Sequence, residues 1–120
     1  MQFTKKGEVY RVSRVTGRQN NILGVSFAQD DSNNIELIEW PESPLKQYKD
    51  SPVRTSAEEI LEQVLLGLES KNKAFNTNYR LSQIYYIPAE NPQDRVYKFL
   101  ISKLINRYHF GGEFKEIPDD

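Results

Sequence analysis

Cysteine is absent from this 120-residue chain, and histidine, methionine and tryptophan occur once each. Without cysteine there is no disulfide framework, no thiolate nucleophile and no cysteine-liganded zinc site. A single histidine, His109, is the one side chain whose ordinary pKa lies near neutrality. Long apolar runs are missing too. Val64-Leu65-Leu66 and Phe99-Leu100-Ile101 fall far short of the about 20 residues that span a bilayer. Residues 1–24 carry Lys5, Lys6, Arg11, Arg14 and Arg18 without the apolar core of a signal peptide. These absences predict a soluble, cytoplasmic protein with no membrane partner.

A hydrophobic content of 38%, with 12% aromatic, is too apolar for a disordered chain. The length suits one domain covering residues 1–120 and leaves no room for two well-cored ones. The formal net charge of −1 hides a strong segregation. Residues 1–24 sum to +4, residues 25–45 to −5, residues 46–70 to −2, residues 71–107 to +5 and residues 108–120 to −3. The total exerts no general pull on nucleic acid, although separate acidic and basic surfaces are expected.

No internal repeat or low-complexity tract interrupts the chain. Val9–Thr16 is rich in β-branched residues and reads as a strand. The cluster 17–21 reads as a turn. Ile22–Ala28 alternates with a period of two and reads as a second strand. A polar turn at 30–34 leads to Ile35–Trp40, a third strand closed by Pro41, so the three should form an antiparallel meander. The proline-bearing segment 41–53 reads as an irregular crossing. Ser56 and Glu59 have the spacing of a capping box, and Leu61, Val64, Leu65 and Leu68 then form the inward stripe of a helix that frays out by 75–78. Gly67 weakens that helix and would mark a close approach to the sheet. Tyr79–Ile87 reads as a fourth strand. Asn91-Pro92 with Asp94 starts a second helix, whose stripe is Val96, Phe99, Leu100, Leu104 and Tyr108 and whose stop is Gly111-Gly112. The tail 113–117 offers a further short edge strand. The expected fold is α+β: an antiparallel sheet of about four strands in the order β-β-β-α-β-α, with two helices on one face.

Motifs that carry chemistry are few. Asp31, Asn33 and Glu42 match positions 1, 3 and 12 of a calcium loop, but Ile35 and Glu36 occupy the positions that need an oxygen ligand and a glycine. Glu113-Phe114-Lys115 fits a three-residue nuclease fragment that arises by chance too often to count. Gly111-Gly112 follows a helix, whereas a phosphate loop opens one. His109, between two aromatic residues at a helix end, reads as a packing or capping group in preference to a general base. Tyr85 and Tyr86, adjacent on a strand, face opposite sides; Trp40 reads as an anchor for the crossing segment.

The most suggestive surface is that of the second helix. Arg95, Lys98, Ser102 and Asn106 are placed on its outer face with Lys103 and Arg107 at the flank, and no acid follows Asp94 within it. Such a face can hold an acidic partner or phosphates; the plainer alternative is a solvated face paired with the acidic first helix. Arg11 and Arg14, three apart on a strand, face opposite ways and cannot share one basic platform. The expectation is therefore a small non-enzymatic binding or regulatory protein, without cofactor or metal, acting through a protein partner or self-association. The alternative is a nucleic-acid-binding accessory protein. Either would use Arg95, Lys98, Lys103, Arg107 and Arg18.

Overall fold

A two-residue turn sets the start of the sheet. Gly7, with φ of 60°, and Glu8 join β1 (Gln2–Lys6) to β2 (Val9–Thr16) in register Lys6↔Val9. Glycine at the first central position of such a turn matches the right-handed twist of the strands. The computed structural model describes residues 1–16, 19–29, 34–39, 57–86 and 96–117, with backbone only at 15, 16 and 19–21. Among these, β3 (Gln19–Phe27), β4 (Glu36–Glu39), α1 (Ala57–Phe75), β5 (Leu81–Tyr86), α2 (Val96–His109) and β6 (Lys115–Glu116) follow in order.

The protein is α+β, but its sheet is six-stranded and mixed, in the order β4-β5-β3-β2-β1-β6. This corrects the expected antiparallel sheet of about four strands. β1, β2 and β3 form the antiparallel meander, and β5 pairs antiparallel with β3. β4 lies beyond β5 and parallel to it, while β6 adds parallel to β1. The third strand of the sequence reading thus leaves the meander. β5 buries Leu81, Ile84 and Tyr86 and occupies an interior position. β4 exposes Glu36 and Glu39 and lies at an edge, where charged side chains blunt further pairing. A parallel β4–β5 pair needs a crossover, and α1 supplies it. β3 begins earlier than expected, because the β2–β3 ladder continues to Thr16↔Gln19 and takes Asn20 and Asn21 into the strand.

The buried apolar strand residues fall on one face. Val12 opposes Leu23, Val25 opposes Ile84, and these join Ile60, Val64, Leu68, Leu100, Ile101 and Leu104 in one core cluster. α2 lies over β2 and β3, with α1 beside it. Both helices end on a left-handed residue. Gly111 (φ 70°) and Gly112 close α2, with Gly112 N–H donating to Arg107 carbonyl at 2.8 Å and Gly111 N–H to that of Tyr108 at 3.3 Å. Asn76 (φ 54°) closes α1, and Thr77 N–H donates to Asn72 carbonyl at 2.9 Å. The Ser56 cap, the Asn91-Pro92-Asp94 helix start, Trp40 and the 41–53 crossing lie outside the described residues.

Gly67 marks a close approach, but to α2 instead of the sheet. A Cβ there would run into the Ile101 side chain and lie 2.9 Å from the Lys98 carbonyl. Nearby, Gln63 Oε1 accepts from the Tyr97 N–H at 3.1 Å. No helix among the described residues is long and apolar enough to cross a membrane.

Candidate functional site

Packing on two sides decides which face of α2 remains open. The helix touches the sheet and also α1, so Val96, Tyr97, Leu100, Ile101, Leu104 and Ile105 are all buried. A buried arc this wide displaces Phe99 from the inward stripe where periodicity alone placed it. Its ring is 38% exposed. Phe99, Lys103, Asn106 and Phe110 recur every three or four residues, which puts them on one outward line. The line is about 16 Å long from Phe99 to Phe110, at about 1.5 Å per residue. Phe110, just past the helix, is 73% exposed.

Two cations lie over the ring that begins this line. The Arg14 guanidinium on β2 lies 5.3 Å from the Phe99 ring centre, and Lys103 Nζ lies 5.4 Å from it. Arg107 is turned back across the helix end. Its guanidinium lies 4.6 Å from the Phe3 ring, and Nε donates to the Glu113 carbonyl at 2.6 Å. Lys98 is half-buried, and its carbonyl accepts from the Ser102 hydroxyl at 2.8 Å. The site residues proposed from the sequence are therefore divided. Lys103 lies on the open line, Lys98 and Arg107 flank it, and Arg95 and Arg18 lie outside the described residues. The sequence reading places Phe99 in the core stripe and weighs Arg14 only beside Arg11, apart from α2. Phe99 was assigned inward by spacing, and Arg14 is far in sequence although its face on β2, shared with Val12, was readable from the period of two.

Beneath the end of α2 the aromatic residues form a continuous chain of contacts. Phe27 stacks on Tyr108 at 4.4 Å, Tyr10 meets Tyr108 edge-on at 5.2 Å, and Phe114 meets Tyr10 at 5.0 Å. His109 stacks on Phe75 at 4.2 Å with the planes 5° apart, and its Nδ1 shares a 2.8 Å hydrogen bond with the Tyr79 hydroxyl. The ring therefore ties the ends of α1 and α2 to the strand approach of β5. Burial, and secondarily the neighbouring Tyr10 and Tyr79 phenols, push the Tyr108 hydroxyl pKa above its ordinary 10.0, against a smaller lowering by Lys5. Burial and then Glu39 push Tyr86 the same way.

A cleft of about 700 Å³ lies between α1 and the loop before β5, with Ile35, Leu65 and Leu81 among its walls. Asn72 in its wall is committed to the loop: Nδ2 donates to Tyr79 carbonyl at 3.0 Å, and Oδ1 accepts from Thr77 Oγ1 and Tyr79 N–H, both at 2.9 Å. Among the described residues, no three of His, Asp and Glu are grouped so as to hold a metal ion. Comparisons with protein-family models, curated proteins and solved structures gave no match for this chain.

Proposed function

We propose that this chain is a non-catalytic binding protein that docks an acidic protein surface on the outward line of α2. The observation that carries this reading is Phe99, an exposed ring with Arg14 and Lys103 at its faces. Aromatic and arginine side chains are enriched at the centres of protein interfaces and supply most of their energy. Phe110 offers a second apolar anchor at the far end, and Lys103 between them sets a preference for carboxylates. α2 contributes Lys98, Lys103 and Arg107 and no acid. Lys103 lies against the Phe99 ring and is exposed, so its positive charge is held at the surface, while Arg107 is shared between the Phe3 ring and the Glu113 carbonyl.

Single-stranded nucleic acid is the competing occupant, since it also uses cations beside rings. Bases need an open ring face, however, and the Phe99 ring has cations over it. Affinity isolation with the wild-type chain and with Phe99→Ser and Lys103→Glu variants tests the proposal. A discrete protein partner should be retained by the wild type and lost from both variants, with the circular dichroism spectrum unchanged. Recovery of nucleic acid instead, with log affinity falling by several units per log unit of salt, would replace the protein reading.

A further inference from the structure

We propose that the open cleft between β1, β2 and the turn after α2 binds a small aromatic monoanion, a planar ring carrying one carboxylate. This site lies apart from the outward line of α2 and does not depend on it. The cleft has a volume of about 320 Å³ and includes Lys5, Tyr10, Tyr108, Gly111, Phe114 and Glu116 in its lining, within the size range of small-ligand sites. Its walls are aromatic. Tyr10 meets Tyr108 at an interplanar angle of 81° and Phe114 at 80°, the edge-to-face arrangement aromatic groups prefer, so the lining presents rings in two orientations. A Cβ at Gly111 would meet nothing within 4 Å, which leaves the mouth open on that side.

Three residues lining this cleft carry hydrogen-bond donors. Lys5 Nζ leans over the Tyr10 ring at 5.0 Å, and strand register places both side chains on one face. Neither the Tyr10 nor the Tyr108 hydroxyl makes a hydrogen bond to a described residue, and neither is sealed from solvent. A phenol is protonated at neutral pH in any case; burial and the nearby phenols raise the Tyr108 value further, and it feels the Lys5 charge. An ammonium and two phenolic O–H groups therefore belong to residues lining one cleft, a set suited to an oxyanion. Glu116, paired in register with Lys5 but exposed, stands at the rim. It disfavours a second negative charge, and Lys5 disfavours a cationic ligand. A single negative charge on a flat ring satisfies both.

Titration of the full chain with benzoate, followed by amide signals in two-dimensional NMR, tests the site. Saturable shifts are expected at Gly111, Gly112 and Phe114. Lys5→Met and Tyr108→Phe should each weaken binding about tenfold, as loss of one charge-assisted hydrogen bond implies, and Glu116→Gln should tighten it. Tyr108→Phe keeps the ring and its packing, so it reports on the hydroxyl even where Lys5→Met disturbs the strand. Benzamide and cyclohexanecarboxylate, lacking the charge and the aromatic ring respectively, should bind about tenfold more weakly than benzoate. Absence of saturable shifts, indifference to both variants, or equal binding of either analogue would overturn the proposal.

Discussion

A methyl group at Gly67 would be driven against Ile101 and the Lys98 backbone, and this single position controls how closely the helices approach. Alanine is the better helix former by about 1 kcal/mol, whereas overpacking a closed contact costs about 1–3 kcal/mol. The contact should win, and urea unfolding of Gly67→Ala should show a net loss of stability; a gain would mean that the helices separate freely. The phenols act at the same scale. Tyr86 and Tyr108 have raised pKa values in the fold, so folding favours their protonated forms. Their contribution is complete below the unfolded value near 10.0 and is lost as pH rises through the folded values. Thermal melts should therefore fall steeply above about pH 10, and Tyr108→Phe should flatten that fall. An unchanged alkaline slope would mean that the unfolded and folded phenols ionise alike.

Among the elements, β2 was legible in full, because VYRVSRVT is unbroken β-former sequence. The existence of both helices was also readable from apolar spacing. β1 is absent from the sequence reading, although Gly7-Glu8 between two polar–apolar runs is a hairpin signal. Strand order was beyond the sequence, because whether β4 neighbours β3 or β5 depends on which strand gains more by burial on both sides. The outward line of α2 was half legible. Lys103 followed from its charge, but Phe99 was assigned inward because spacing cannot reveal that a helix is covered from two directions. The sheet order implies uneven protection. Hydrogen exchange should be slowest in β3 and β5 and fastest in the edge strands β4 and β6, since edge amides lack a second neighbour. Leu104→Ala in the middle of α2 removes a fully buried side chain and should cost about 2–5 kcal/mol in denaturant unfolding.

For the whole molecule, the near-neutral total conceals a division between a basic α2 and an α1 that exposes Glu58, Glu59, Glu62 and Glu69. Opposite patches of this type steer association more than they add affinity. Raising ionic strength from about 0.01 to about 1 M shortens the screening range from about 30 to about 3 Å. Association with an acidic partner should then slow while dissociation changes little, as stopped-flow mixing would register. The central claim is that Phe99 and Lys103 form the docking contact. Calorimetric titration of the isolated partner against wild-type, Phe99→Ser and Lys103→Glu chains tests it most directly. The account predicts that each substitution weakens binding at least about tenfold with folding intact; equal affinity across the three chains would contradict it.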